Sequence, residues 1–216
     1  MVPETLHKGP DFIVTDVDST LICEEVIEEL ARWAGTYEEV ARITAEAMNG
    51  ERDFAQSLRA RVATLAGISH SVFHDVLEHI HPRPGAQLLI DEAHHHGASF
   101  AVVSGGFTEV VAPLCERMGI DYWIANRLEV ANGYLTGRVV GEIVTADVKV
   151  RMMQQWAAQQ GIPLNHVLAV GDGANDIPML SHAGLGVAFC AKPTVQDQVH
   201  AHINYPRLDI LTALWA

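Results

Sequence analysis

The sequence predicts an α/β fold: a doubly wound parallel sheet with a small helical bundle inserted after its first strand. Three observations carry this expectation. Four short apolar runs, FIVT (12–15), SFAVVS (99–104), HVLAVGD (166–172) and LGVAFC (185–190), read as buried parallel strands. Three of them pass through a polar or glycine-rich turn into a helical pattern, and repeated strand–turn–helix units build a parallel sheet with helices on both faces. Between Leu21 and Pro82 the pattern is helical throughout.

Taken in chain order, FIVT is the first strand and stops at DVDST. Four helical patterns follow: EEVIEELARWAG, TYEEVARITAEAMNG, FAQSLRARVATLAG and SHSVFHDVLEHI. Each ends near Gly or Pro, and Thr36 and Ser69 are candidate N-caps. Residues 22–81 therefore read as a helical cap, and residues 1–21 with 82–216 as the core. In the core, SFAVVS leads into GGFTEVVAPLCERMG, HVLAVGD into GANDIPMLSHAG, and LGVAFC into KPTVQDQVH. The segment YLTGRVVGEIV (134–144), preceded by Asn132-Gly133, reads as a β-hairpin.

Composition limits the function classes. The chain has 216 residues, 49% hydrophobic and 19% charged, which is ordinary for a globular protein. A net charge of −13 argues against nucleic acid as a partner, because phosphate backbones need clustered Lys and Arg. The absence of an uninterrupted apolar run of about 18 residues argues against a membrane span. The opening MVPETLHKGP lacks a basic-then-apolar signal pattern. The three cysteines, Cys23, Cys115 and Cys190, are odd in number and widely spaced, so they read as small buried apolar residues in a reducing compartment. A cytoplasmic location is expected.

In open α/β sheets, ligands bind outside the carboxyl ends of the strands. Asp16, Ser104 and Asp172 all stand at predicted strand ends. A carboxylate can attack phosphorus and form an aspartyl phosphate, splitting one hard displacement into two. In DVDST a second acid at i+2 faces the same substrate only if the strand has ended, and Ser19-Thr20 suggests that it has. Asp18 can then donate a proton to the leaving oxygen and later accept one from water. Read alone, DVDST is equally a turn with two solvated acids. In GDGANDIPML, Asp172 and Asp176 are oxygen donors of the kind that a hard divalent cation, Mg²⁺, takes together with water and phosphate. In VVSGGF, the Ser104 hydroxyl and the following backbone N–H groups at a helix start can hold phosphoryl oxygens; alone, the segment is an ordinary glycine-rich turn. Lys149 lies near the start of a helical pattern, where its charge opposes the helix dipole. Beside Asp16, its ammonium and a metal ion supply the positive charge that lets neighbouring acids stay ionised.

The ordered set DxDx[ST], hydrophobic-SGG, Lys and GDGxND resembles the haloacid dehalogenase superfamily of phosphotransferases, with its Rossmann-like core. More narrowly, AMNGERDFAQSLRARV, ANRLEV with NGYLTG, and GDGANDIPML with AFCAKP are similar to the phosphoserine phosphatase family over nearly the whole length. The resemblance implies Mg²⁺-dependent hydrolysis of O-phosphoserine, the last step of serine biosynthesis. Asp16 is then the nucleophile and Asp18 the general acid/base. Asp16, the Asp18 carbonyl and Asp172 hold Mg²⁺, supported by Asp176. Ser104, Gly105 and Lys149 hold the phosphate, with Asn175 nearby. Glu25 pairs with the substrate ammonium, Arg61 grips its carboxylate and Phe54 closes over it. A zwitterion does need one anion and one cation set apart, and Arg suits a carboxylate. Periodicity alone does not choose between Arg59 and Arg61; the resemblance selects Arg61. Val17 stands where the family commonly has Phe, with packing consequences only.

Other readings compatible with these residues are phosphothreonine or homoserine phosphate as substrate, or a phosphotransferase that passes the phosphoryl group to an acceptor other than water. A phospho-aspartate signalling receiver shares the paired acids, the Ser/Thr and the Lys, but needs neither Asp18 as a proton donor nor the helical insertion. The run His94, His95, His96 points in three directions on a helix and is not read as a metal site. Trp215 is expected to pin the last helix, and a homodimer is compatible with the sequence.

Overall fold

A computed structural model describes the chain over residues 3–48 and 53–216. Strands β1 (Phe12–Thr15), β2 (Ser99–Phe107), β3 (Tyr122–Ala131), β4 (Tyr134–Val140), β5 (Val167–Gly171), β6 (Leu185–Phe189) and β7 (Ala201–Ile203) form one sheet in the order β4-β3-β2-β1-β5-β6-β7. Every neighbouring pair is parallel except β3–β4. The predicted doubly wound sheet is therefore present, with an antiparallel hairpin at one edge. Strand β1 pairs with β2 on one side and β5 on the other, so the winding reverses at β1 and opens a crevice beyond its carboxyl end.

Successive side chains of a strand point to opposite faces, and the core divides accordingly. Ile13, Phe100, Val102, Leu168 and Val170 pack on one face with helices α5 (Ala86–His95) and α6 (Thr108–Met118). Phe12, Val14, Ala101, Val103 and Ala169 pack on the other with α7 (Ala146–Gln159) and α8 (Ile177–His182). A short α9 (Pro193–Gln196) follows β6. The FIVT run is buried at every position because both faces are covered.

The four helical patterns of the insertion become α1 (Val26–Ala34), α2 (Tyr37–Met48), α3 (Phe54–Ala63) and α4 (Val72–His79). The end of the second pattern, Asn49-Gly50, lies outside the described residues. Apolar residues of the insertion, among them Val26, Leu30, Leu58 and Val76, join the same core cluster as Ile13 and Phe107. Its two connections to the core lie side by side: Ile22 bridges Pro82, and the Cys23 N–H donates to the His81 carbonyl at 2.9 Å. The far end is tied to the hairpin. Gly67 N–H donates to Leu135 O at 2.8 Å, and Leu135 N–H to Ile68 O at 2.9 Å.

Several expectations need correction. Segment 134–144 is not a hairpin in itself: β4 is its second arm, Asn132-Gly133 is the two-residue turn, and the first arm is β3. Both turn residues have positive φ, 51° and 81°, as a tight hairpin turn requires. Strand β2 runs three residues past Ser104, so SGG belongs to the strand and not to a helix start. Cys115 is buried, but Cys23 and Cys190 are exposed. Ser69 precedes α4 by more than a cap position; the residue before that helix is Ser71, without a side-chain cap.

Trp215 lies against Gly9, where an added Cβ would stand 1.9 Å from the indole and where φ is +86°. It also stacks on His96, with ring centroids 5.4 Å apart. Gly9→Ala combines left-handed strain with overpacking, together about 2 kcal/mol or more. We expect Tm to fall by roughly 4–8 °C with kcat unchanged; thermal melts of the two proteins check this, and an unchanged Tm would contradict the packing described.

Candidate active site

The site begins where β1 stops. Asp16 takes an extended backbone, and the chain then makes a wide turn over Val17–Leu21, closed by Ile22 N–H to Val17 O at 3.0 Å. Within it Asp18 is extended and Ser19 is left-handed, at φ 56°. This irregular backbone lets two acids at i and i+2 serve one cleft. Val17 between them is fully buried, as its expected place in the core requires. The turn is held from below by Arg83, whose Nη2 donates to Ser19 O at 2.6 Å and to Ile22 O at 3.2 Å.

The acids meet one buried cation. Lys149 Nζ lies 2.8 Å from Asp16 Oδ2 and 2.6 Å from Asp176 Oδ1. Lys149 and Asp176 are fully inaccessible, and Asp16 retains 7% exposure. The second oxygens are also bonded: Val17 N–H donates to Asp16 Oδ1 at 2.7 Å, and Gly173 N–H to Asp176 Oδ2 at 3.0 Å. Burial pulls the Lys149 ammonium down, but Asp16 and Asp176 more than offset it and hold it above the ordinary lysine range. Asp172, at the carboxyl end of β5, accepts from the Thr20 hydroxyl at 2.8 Å. Burial, then Asp176, push its carboxyl up to about 7.

Oxygens of Asp16, Asp172 and Asp176 all lie within 4.8 Å of one another. Three carboxylates share one ammonium, which leaves the cluster short of positive charge. Burial raises the Asp16 carboxyl well above the ordinary range, and Asp176 adds to the rise against the pull of Lys149. Hard oxygen donors gathered around a charge deficit fit a divalent cation.

Asp18 stands apart from this cluster. Its Oδ1 is buried without a hydrogen-bond partner among the described residues. Burial raises its carboxyl well above the ordinary range, and Glu25 and Asp16 add to the rise. Burial thus favours its protonated form, and a protonated carboxyl can donate its proton.

A cleft of about 560 Å³ opens over these groups. Of the residues singled out from the sequence, Asp16, Asp18, Glu25, Phe54, Arg61, Gly105, Asp172 and Asn175 line it. Ser104, Lys149 and Asp176 lie buried behind that lining. Glu25, at the start of α1, accepts from the Ser19 hydroxyl at 2.7 Å. Arg61 is in the last turn of α3, and Phe54 begins the same helix. Burial lowers the Arg61 guanidinium, with Glu25 and then Asp18 opposing; a guanidinium stays protonated nonetheless. Arg59, the competing candidate, is not in the lining. Phe54 approaches so closely that a Cβ on Gly105 would stand 3.0 Å from its ring. Sequence reasoning missed Arg83 and Asn126, and also Lys192, which lines the cleft. The only signal for Arg83 was its place in HPRPG, where the chain returns to the core.

Fold and site together define the class: an α/β enzyme whose chemistry rests on carboxylates. The family described as haloacid dehalogenase-like hydrolase matches residues 13–181, and the chain belongs to it, within the phosphoserine phosphatase branch. A phosphoserine phosphatase of Streptococcus thermophilus is 53% identical over 196 residues, 91% of each chain. One from Lactococcus lactis is 50% identical over 202 residues, 94% of this chain and 93% of the relative. The chain spans 52% of the length of a similar Streptomyces coelicolor phosphoserine phosphatase. Among solved structures, a phospho-aspartyl intermediate analogue of phosphoserine phosphatase superposes with a TM-score of 0.89 at 43% identity, covering 94% of this chain and 98% of that one. A substrate-bound phosphoserine phosphatase complex gives 0.90 at 42% identity, covering 95% and 98%.

Among the described residues no helix is long and apolar enough to cross a membrane. A divalent cation seated among the three acids relieves their repulsion only in the folded state. At about one hundred times its Kd it stabilises by roughly 2.7 kcal/mol, a Tm rise of about 5–10 °C. Differential scanning calorimetry with and without Mg²⁺ reads this directly. Asp172→Asn is expected to remove most of the rise, and an undiminished rise in that variant would take Asp172 out of the metal set.

Proposed function

We propose that the protein hydrolyses O-phosphoserine to serine and phosphate, with Asp16 as nucleophile. One observation carries the assignment of roles: Asp16 ends the central strand in contact with a buried ammonium, in a cleft that also holds Glu25 and Arg61. The relatives named phosphoserine phosphatase, and the phospho-aspartyl intermediate analogue of one of them, support the same reading.

The substrate phosphoryl group lies over Asp16, among Ser104, Gly105, Asn175 and Lys149. An Asp16 oxygen attacks phosphorus in line with the serine oxygen. The bond from phosphorus to serine breaks, its electron pair stays on the serine oxygen, and Asp18 gives that oxygen its proton. Water then attacks the aspartyl phosphate while Asp18, now a carboxylate, takes the water's proton. The bond to Asp16 breaks, restoring the carboxylate and releasing phosphate. Asp16, Asp172 and the backbone carbonyl of Asp18, supported by Asp176, would hold Mg²⁺, which would supply positive charge for the phosphoryl oxygens. Lys149 stabilises the same charge and keeps Asp16 ionised.

Residues 22–81 act as the cap that selects the substrate. Glu25 meets the ammonium, Arg61 the carboxylate, and Phe54 covers the bound molecule and helps to exclude water. A homodimer is compatible with this reading. A cytoplasmic location is part of this proposal.

Two measurements test this. Asp16→Asn is expected to lose phosphoserine turnover altogether, and retained turnover would remove Asp16 as nucleophile. Losing the Arg61 charge costs about 1.5–3 kcal/mol of carboxylate binding, so Arg61→Ala should raise KM for phosphoserine by roughly ten- to a hundredfold. KM for p-nitrophenyl phosphate, which has no carboxylate, should hardly change. A panel with homoserine phosphate and phosphothreonine sets the preference, and phosphoserine turned over no faster than p-nitrophenyl phosphate would overturn the assignment.

A further inference from the structure

Strand β2 does not end cleanly against β3. Val103 is paired with Ile124, but the next pair is Phe107 with Asn126. Three residues of β2, Ser104 to Gly106, thus stand opposite one residue of β3, Ala125. The excess forms a bulge at the edge of the cleft, and bulges re-aim backbone and side chains beside active sites. A bulge also takes backbone groups out of the ladder, and buried ones need partners.

Asn126 supplies one. Its side chain is 1% exposed. Nδ2 donates to Gly105 O at 2.8 Å, and Oδ1 accepts from Val144 N–H at 2.8 Å. Both ends of the amide lead to phosphate-binding groups. The Gly105 carbonyl belongs to the same planar peptide as the Gly106 N–H, and that N–H donates to Ser104 Oγ at 2.8 Å. With Oγ accepting there, the Ser104 hydroxyl proton is free to be donated elsewhere. At the other end, Val144 precedes Thr145, the residue that opens α7, and Lys149 N–H donates to Thr145 O at 3.0 Å. One buried amide therefore joins the strand carrying Ser104 and Gly105 to the helix carrying Lys149.

The tolerance there is small. A Cβ on Gly106 would stand 3.0 Å from Ser104 Oγ and 3.1 Å from Asp18 Oδ2. A slight rotation of the 105–106 peptide would move the Ser104 hydroxyl relative to the acids.

We propose that Asn126 is a positioning residue that fixes the phosphate cradle, setting the Ser104 hydroxyl and the Lys149 ammonium at one spacing without touching the substrate. This rests on the reading of Ser104, Gly105 and Lys149 as phosphate ligands. It predicts an effect on everything that carries a phosphoryl group and none on recognition of the amino acid.

The test uses the Mg²⁺-loaded full chain, with Asn126→Ala and the near-isosteric Asn126→Leu, so that a folding failure of one leaves the other. Calorimetric titration with inorganic phosphate should show Kd raised roughly 10-fold or more in the folded variant. KM for phosphoserine and for p-nitrophenyl phosphate should rise by a similar factor, unlike in Arg61→Ala. The Mg²⁺-induced rise in Tm should persist, since the side-chain hydrogen bonds of Asn126 go to the backbone of Gly105 and Val144 and not to the acids. A variant with lowered Tm but unchanged phosphate Kd would show a merely structural role and overturn the proposal; so would a KM change confined to phosphoserine. If the unmodified chain binds phosphate but does not hydrolyse phosphoserine, the proposed reaction fails, while the phosphate Kd of the variants still decides on Asn126.

Discussion

The site depends on one buried ion triad, the Lys149 ammonium held between Asp16 and Asp176 at 2.8 and 2.6 Å. Removing one partner of such a group strands the others and costs about 3–5 kcal/mol. Its other consequence is chemical. A carboxylate at the end of a covered strand would rather be protonated, and a protonated carboxyl is a poor nucleophile. Lys149 opposes that tendency at Asp16 through a direct ion pair, while at Asp18 burial is reinforced by Glu25 and Asp16. Two acids two residues apart thus meet different partners, and the proposed division into nucleophile and general acid follows that difference.

Backbone irregularity is what lets these groups converge. The left-handed Ser19 turns Asp18 back toward the cleft, and Arg83 holds the carbonyls that this turn exposes. The bulge at Ser104–Gly106 brings a second strand end to the same place. The helical insertion covers the result from one side. Its α3 is held near its C-terminal end by the hairpin: a Cβ on Gly137 would meet Ala63 and Ala66 at 3.0–3.2 Å. Arg61, two residues before Ala63, therefore has its height above Asp16 set by contacts with the sheet as well as by its own helix.

Much of this was legible in the sequence. FIVT is β1 residue for residue, because a strand covered on both faces leaves a continuous apolar signature. Asp16, Asp18, Asp172, Asp176, Ser104 and Lys149 stand out because chemistry demands those residue types at or near strand ends; Glu25, Phe54 and Arg61 stand out only through the family resemblance, and Ile27, Glu28, Thr44, Ser57 and Leu58, which also line the cleft, leave no signal. What escaped has physical reasons. Strand β3 lies near the sheet edge with mixed exposure, so its apolar residues neither run together nor alternate cleanly. The extension of β2 through two glycines looks like a turn, because composition cannot show that a neighbouring strand still pairs beyond a bulge. Cys23 and Cys190 were expected to be buried, yet both follow strand-end or turn positions at the surface. Asn126 and Arg83 act through backbone carbonyls distant in sequence, and such partners leave no local spacing to read.

In the proposed reaction Asp16 attacks phosphorus because Lys149 keeps it ionised. Rapid quenching with phosphoserine radiolabelled on phosphorus, followed by peptide mapping, follows the phosphoryl group onto the protein. A transient label is expected on the peptide carrying Asp16 in the unmodified protein, and little or none in Lys149→Met that still folds. A label on another residue, or equally fast labelling of Asp16 without the ammonium, would contradict it.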